Sequence, residues 1–199
     1  MHQFANSKFV YFTQAPTAMS KEKNTISEIS ADALLQHVML EISCEHLPIL
    51  IARTSLWATK QDYEACLASG SPAKHPNKKR KKSGEKRGWN DPEKKDFYLD
   101  DNTFPNRQMK AALKKRGVKP KDFETCHIWE NSCYEFEYHT CFANLVLLPR
   151  ALASLSDHNK NISDILKYRA YELFGFVPKG KPTPQKPNNY PAEEYWLQL

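Results

Sequence analysis

Residues 123–148 read FETCHIWENSCYEFEYHTCFANLVLL, and this stretch decides the fold. Its first part, Phe123 to Trp129, is predicted to form a strand, and its last part, Asn144 to Leu148, a second short and apolar strand. Further along the chain, Ile162 to Phe174 has one apolar stripe at helical spacing. The order strand, loop, strand, helix predicts an α+β fold.

Side chains that can bind a metal or move a proton are concentrated between Cys126 and Asn159. This segment contains three of the seven histidines and three of the five cysteines, together with Asn144 and Asp157. Hydrolysis of a phosphodiester requires a base for the attacking water, stabilisation of the charge in the transition state, and help for the leaving 3′ oxygen. One histidine and one divalent ion can meet all three needs, so the segment is a candidate hydrolytic site.

The pattern of these residues resembles the HNH, or ββα-metal, nuclease motif. Cys126-His-Ile128 lies on the first strand, Asn144-Leu-Val-Leu-Leu148 begins seventeen residues after His127, and a helix follows. The resemblance covers about 50 residues, Phe123 to Phe174. It implies an α+β fold with a ββα-metal motif on a mostly helical scaffold. It also implies a metal-dependent DNA endonuclease, and among compact chains of this family a sequence-specific restriction or defence enzyme.

The resemblance also implies a role for individual residues. His127 would be the general base, and Asn144 would brace the loop between the strands. His158 is the candidate metal ligand, with Asp157 and Asn159 as nearby substitutes. The implied cofactor is one Mg²⁺ or Mn²⁺ ion per site. Such a hard ion prefers oxygen from Asp157, whereas imidazole suits a softer transition metal.

Two departures from the family pattern leave alternatives open. Cys126 stands where the family often has Asp, so it is either a structural substitution or a ligand of a soft metal. The spacing from Asn144 to His158 is longer than usual, which implies an insertion or a late start of the helix. Thiolate and imidazole are also the preferred ligands of structural zinc, and the alternative zinc site would use Cys126, Cys133, His139 and Cys141. His139 could otherwise contact phosphate or stabilise the loop.

Basic residues are distributed unevenly along the chain. Between Lys74 and Lys121 there are seventeen Lys or Arg against six Asp or Glu, a balance of +11 in a chain whose net charge is +6. This asymmetry predicts a basic face for a polyanion, here double-stranded DNA. The run 78–82 could be a DNA-contacting arm, a nuclear localisation signal or a solvated loop. The candidate DNA-binding residues are Lys78, Lys79, Arg80, Lys81, Lys82, Arg107, Lys110, Lys114 and Lys115.

The sequence predicts four parts: a helical N-terminal scaffold (1–70), a basic flexible loop (71–96), an HNH-like nuclease region (97–176) and a Pro-rich C-terminal tail (177–199). The scaffold includes a predicted helix from about Ile26 to Cys44, which starts at a capping box. The nuclease region includes a basic helix from Pro105 to Arg116. Tyr195 to Leu197 could dock the end of the tail.

Composition narrows the class of protein. No stretch reaches the roughly 18 to 20 apolar residues that span a bilayer, and the start of the chain lacks a signal-peptide pattern. The five cysteines form no disulfide framework, which favours a reducing compartment: the cytoplasm of a prokaryotic or phage host, or the nucleus of a eukaryote. The expectation is a DNA endonuclease that contacts no membrane, and a homodimer if its target is palindromic. The alternatives are a nonspecific or nicking nuclease, and a non-catalytic nucleic-acid-binding module with or without zinc.

Overall fold

The computed structural model describes residues 27–30 and 46–198. These residues form a mixed α+β fold around one hydrophobic core. The strands are β1 (Ser27–Ser30), β2 (Lys78–Arg80), β3 (Gly88–Trp89), β4 (Tyr98–Asp100), β5 (Val118–Lys121), β6 (Phe123–His127) and β7 (Leu145–Pro149). The helices are α1 (Leu47–Thr54), α2 (Lys60–Ala68), α3 (Thr103–Lys115), α4 (Leu155–His158) and α5 (Lys160–Phe174).

The centre of the fold is an antiparallel hairpin of β6 and β7. Phe123 lies opposite Pro149, and His127 lies opposite Leu145. Every residue of β7 is buried, as expected for a strand with the sequence LVLLP. The hairpin is followed by α4 and α5, so the predicted order of strand, loop, strand and helix is confirmed.

Helix α5 has a definite beginning and end. The side chain of Asn159 accepts a hydrogen bond from the Ile162 N–H at 3.1 Å, which satisfies one free donor of the first turn. The helix ends at Gly175, whose φ of +64° is readily adopted by glycine. Its inward stripe is completely or almost completely buried: Ile162, Ile165, Leu166, Ala170 and Phe174. The predicted helix is therefore confirmed, and each large side chain in the stripe contributes roughly 1.5 to 3 kcal/mol by burial.

Helix α3 also forms where its sequence predicts a basic amphipathic helix. Met109, Ala112 and Leu113 are buried, and the helix contacts both strands of the hairpin. Lys110 and Lys114, on the other side, are exposed. Burial of the apolar side against the hairpin therefore holds the cationic side of α3 at the surface.

The segment 71–96 contains regular structure, so its prediction as a flexible loop is wrong for the residues of β2 and β3. Strand β2 pairs in parallel with β4, and β3 pairs with the other edge of β4 in antiparallel orientation. The physical reason is the Lys78 side chain. Its Nζ lies 4.8 Å from the ring centre of Trp89, 4.9 Å from that of Tyr98 and 4.3 Å from that of Phe104. These cation–π contacts join residues that are far apart in sequence.

The start of the predicted helix at Ile26–Cys44 is also wrong. Ser27–Ser30 is strand β1, which pairs in parallel with β5, with Ser27 opposite Val118. Pairing with a distant strand overrides the local capping pattern, because tertiary partners outweigh intrinsic propensity. The rest of that predicted helix, 31–44, lies outside the described residues.

The end of the tail docks on the core, as predicted from its aromatic residues. Trp196 is buried, and its ring meets that of Trp57 edge to face with a centroid distance of 6.3 Å. The Arg169 guanidinium lies 4.5 Å from the ring centre of Trp196. The Leu197 N–H donates to the Ala52 carbonyl at 3.3 Å. In the described part of the chain, no helix is both long and apolar enough to cross a membrane.

Candidate functional site

A cavity of about 690 Å³ lies beside the hairpin, and we call it the site cavity. Several candidate residues of the sequence analysis line it together: Arg80, Cys126, His127, Asp157 and His158. They come from β2, β6 and α4, three elements that are distant in sequence. The fold therefore gathers candidate base, metal-ligating and cationic side chains on one cavity.

The imidazole of His127, the last residue of β6, is held in one tautomer. Its Nε2 lies 3.0 Å from the backbone carbonyl oxygen of His139. A carbonyl oxygen can only accept, so Nε2 carries the proton and donates it. Nδ1 is then the acceptor nitrogen of the neutral ring, and no described residue forms a hydrogen bond to it.

The surroundings of His127 also keep its ring neutral. Burial and the adjacent His139 lower its pKa to about 3, and Arg80 acts in the same direction. The backbone hydrogen bond and the Asp100 carboxylate oppose this shift only in part. At neutral pH the ring is therefore an unprotonated acceptor.

Asn144 fixes the loop that connects the two strands, residues 128–144. It is wholly buried, and its Oδ1 accepts from the Trp129 N–H at 3.2 Å. Its Nδ2 donates to Ser132 Oγ at 2.8 Å and to the Tyr138 carbonyl at 3.0 Å. Asn144 thus links three points of the 128–144 loop from within.

His139 is fully buried, which decides between its two predicted roles. A side chain without solvent exposure cannot contact a phosphate group in this conformation. Its ring stacks on that of His127, with centroids 5.3 Å apart and planes 10° apart. Its Nε2 lies 3.1 Å from Asp100 Oδ2. His139 therefore stabilises the loop and the His127 ring.

The candidate metal ligands differ in how available they are. Asp157 and His158 are exposed at the site cavity. The Asn159 side-chain oxygen is occupied as the cap of α5. Burial raises the pKa of the Cys126 thiol to about 12, and the thiol donates to the Ala153 carbonyl at 3.6 Å. The hydrogen bond of this buried thiol within the fold fits the structural interpretation of Cys126.

Within residues 46–198, no group of three or more His, Cys, Asp or Glu side chains could hold a metal ion unaided. The zinc alternative, which needs Cys126, Cys133, His139 and Cys141 together, therefore finds no support in the described part of the chain. A magnesium or manganese ion needs fewer ligands from the protein than a structural zinc ion does. It keeps several waters and takes one or two carboxylates together with substrate phosphates. Asp157, with His158 beside it, fits that donor set.

The predicted DNA-binding residues fall into three groups by their exposure to solvent. Lys78 is buried in its aromatic cage and does not belong to an exposed cationic arm, which corrects its prediction as a DNA contact. Lys79 and Lys81 are half-buried, with the Lys79 Nζ 5.1 Å from the ring centre of Phe97. The others are exposed: Arg80, Lys82, Arg107, Lys110, Lys114 and Lys115.

Two residues of the site had no place in the sequence analysis. Arg150 is exposed on the site cavity, directly after the end of β7. Its position next to a predicted strand end was a usable signal. Asp100 is completely buried at the end of β4 and bound to His139, 39 positions away. No local pattern could have indicated that pair.

Comparison of the chain with protein-family models, with curated proteins and with solved structures gives no significant match.

Proposed function

We propose that this chain is a metal-dependent DNA endonuclease of the HNH type that hydrolyses phosphodiester bonds. One observation carries the proposal. The His127 ring is held in the tautomer that leaves Nδ1 as an acceptor, beside a cavity that is also lined by arginines and by Asp157 and His158. Such a site offers a base, cations for a phosphate and oxygen for a hard metal ion.

In this mechanism, His127 Nδ1 accepts the proton of the attacking water. A pKa of about 3 makes the free ring a weak base. A phosphate group bound in the site cavity brings negative charge close to the ring, and an opposite charge favours the protonated form. The negative charge of the phosphate acts to raise the pKa of His127 towards the range in which a general base is most effective, and the arginines and the metal ion act against it.

Arg80 and Arg150 are the residues suited to hold the phosphate. Both are exposed on the site cavity, and a guanidinium can form two parallel hydrogen bonds with phosphate oxygens. Their fixed positive charges would stabilise the additional charge that develops in the transition state. They come from two different elements, Arg80 from β2 and Arg150 from the turn after β7.

Asp157, with His158 beside it, would hold the Mg²⁺ or Mn²⁺ ion. When bound, the ion supplies charge neutralisation at the phosphate and polarises the bond to the leaving oxygen. Double-stranded DNA would extend beyond the site cavity over exposed cations of α3 such as Arg107 and Lys110. A palindromic target would call for a homodimer, because two-fold symmetry in the DNA is matched by two-fold symmetry in the protein.

The test is cleavage of long duplex DNA by the purified full chain with Mg²⁺, with Mn²⁺ and with EDTA. We expect metal-dependent cleavage that His127→Ala reduces by roughly 10²- to 10⁴-fold, the usual contribution of a general base. His46→Ala is the matched control, since His46 does not line the site cavity. Discrete fragments would indicate a sequence-specific restriction enzyme, and a smear or nicked circles the less selective nuclease.

A non-catalytic nucleic-acid-binding module is the second candidate. It is favoured by the low pKa of His127 and by the lack of a complete metal-binding group among residues 46–198. Salt-dependent DNA binding without cleavage under any metal condition would select this candidate.

A further inference from the structure

A buried carboxylate lies behind the candidate base. Asp100 has no solvent exposure, and its Oδ2 accepts from His139 Nε2 at 3.1 Å and from the Phe104 N–H at 2.9 Å. Burial opposes the charge, but these hydrogen bonds outweigh it and hold the pKa of Asp100 below its usual value. Its Oδ1 has no hydrogen-bond partner among the described residues, and the nearest cation is Arg87, with Nε 3.8 Å away. A buried charge is costly, so a carboxylate kept here calls for a role.

Asp100 fixes the tautomer and position of His139. An ionised carboxylate can only accept, so the proton of the His139 ring is on Nε2. The other nitrogen, Nδ1, is buried and has no hydrogen-bond partner among the described residues. His139 is thus held by one strong contact, from β4, which lies outside the 128–144 loop.

His139 in turn holds His127 in two ways. The stacked rings, with planes 10° apart, fix the plane of the His127 imidazole. The His139 carbonyl, 3.0 Å from His127 Nε2, fixes which nitrogen carries the proton. A displacement of residue 139 that moves its backbone together with its ring would change both contacts.

We propose that Asp100 is a positioning residue of the candidate nuclease site, which fixes the plane and tautomer of His127 through His139. This inference rests on the proposed function for its catalytic meaning. The chain of contacts from Asp100 to His139 to His127 is independent of it. Outer partners that orient a reacting side chain in this way typically contribute 10- to 100-fold to activity.

The first variants to compare are Asp100→Ala and Asp100→Asn. Asparagine keeps an oxygen that can accept from His139 and Phe104, whereas alanine does not. We expect Asp100→Ala to lower kcat on long duplex DNA by roughly 10- to 100-fold with little change in KM. Asp100→Asn should retain kcat within a few-fold of the wild type. The control is Asp101→Asn, an exposed neighbour that contacts Arg87 and Thr103.

The second readout is the imidazole region of ¹H–¹⁵N spectra of the full chain, which reports the tautomer of His127 without any DNA. We expect a single tautomer protonated on Nε2 in the wild type and in Asp100→Asn, and a mixture in Asp100→Ala. An unchanged His127 tautomer and unchanged kcat in Asp100→Ala would overturn the proposal.

These two readouts separate the proposals. If the wild type cuts no DNA, the nuclease proposal fails, and the spectra alone still decide whether Asp100 positions His127. If Asp100→Ala does not fold, Asp100→Asn decides. A large loss of kcat in that variant with an unchanged His127 tautomer would show that charge, not position, is what matters, and would overturn the inference.

Discussion

The two sides of the site cavity are built differently. On the hairpin side, His127 lines the cavity, and His139 and Asn144 are buried in the same hairpin without lining it. Each of the three side chains is fixed by hydrogen bonds to other residues. On the α4 side, Asp157 and His158 are exposed on a short helix. In the proposed nuclease, this difference would give the two sides different tasks: the hydrogen-bonded side would position the base, and the exposed side would provide side chains that a metal ion can organise. Precise positioning needs locked rotamers, whereas a hydrated ion tolerates adaptable ligands.

The largest difference should be in how much a substitution on each side lowers the free energy of unfolding of the protein. Asn144→Ala removes hydrogen bonds to three buried groups, each worth about 1 kcal/mol, so we expect the free energy of unfolding to fall by about 3 kcal/mol. Asp157→Ala, at an exposed position, should change it by less than about 0.5 kcal/mol. Urea unfolding of both variants measures the two values. Equal losses would mean that the two sides do not differ as described.

We expect low pH to reduce the free energy of unfolding through His127, on the hairpin side of the site cavity. The pKa of His127 is lowered from 6.5 to about 3 in the folded chain, so between these values the unfolded state binds a proton that the folded state does not. The effect of His127 on the free energy of unfolding is therefore absent above about pH 6.5. As the pH falls from there towards 3, this effect lowers the free energy of unfolding by up to about 1.4 kcal/mol per pH unit. Unfolding midpoints measured across this range should fall with pH in the wild type and less steeply in His127→Asn. Parallel curves would contradict the prediction.

The α4 side should show its role in metal dependence. Asp157→Ala removes the candidate oxygen ligand without disturbing buried contacts. We expect about a tenfold rise in the Mg²⁺ concentration at half-maximal cleavage, equivalent to about 1.4 kcal/mol. Asn161→Ala, an exposed substitution nearby at the start of α5, is the control. An unchanged metal requirement would remove Asp157 from the proposed site.

The smallest expected effect is on the salt dependence of DNA binding, in which Lys110 and Lys78 should differ. Lys110→Ala at the surface of α3 should lower the slope of log K against log salt for DNA binding by about 1, because one phosphate contact is lost. Lys78→Met should leave that slope unchanged, since Lys78 is enclosed by aromatic rings, and should lower the unfolding midpoint instead. Fluorescence anisotropy with a labelled duplex at several salt concentrations tests both. A changed slope for Lys78→Met would place that lysine on DNA.

The elements that the sequence predicts well are those whose signals are local. The hairpin strands, α3 and α5 each carry their own apolar pattern and end signals, such as Gly175 after α5. The gathering of His127, Asp157 and His158 on one cavity agrees with their grouping by residue type and spacing. The aromatic end of the tail was likewise recognisable, because Trp196 is an apolar side chain in a polar segment.

The features that the sequence did not predict depend on contacts between residues that are distant in sequence. Lys78 looks like one of five equivalent cations until Trp89, Tyr98 and Phe104 surround it. Asp100 is one acidic residue among several until His139 binds it. Both cases are decided by which strands pair, and strand pairing follows from tertiary contacts rather than from local composition.

The buried thiols of the hairpin have a practical consequence. The thiolate is the form that reacts with alkylating reagents, and burial raises the pKa of both Cys126 and Cys141 to about 12. Cys141 has no solvent exposure and Cys126 is only 8 % exposed, so extensive labelling, of Cys141 above all, requires that the surrounding segment open first. The rate at which mass spectrometry detects modification of each cysteine would therefore report how often β6 and the 128–144 loop open, at natural positions and without an engineered probe.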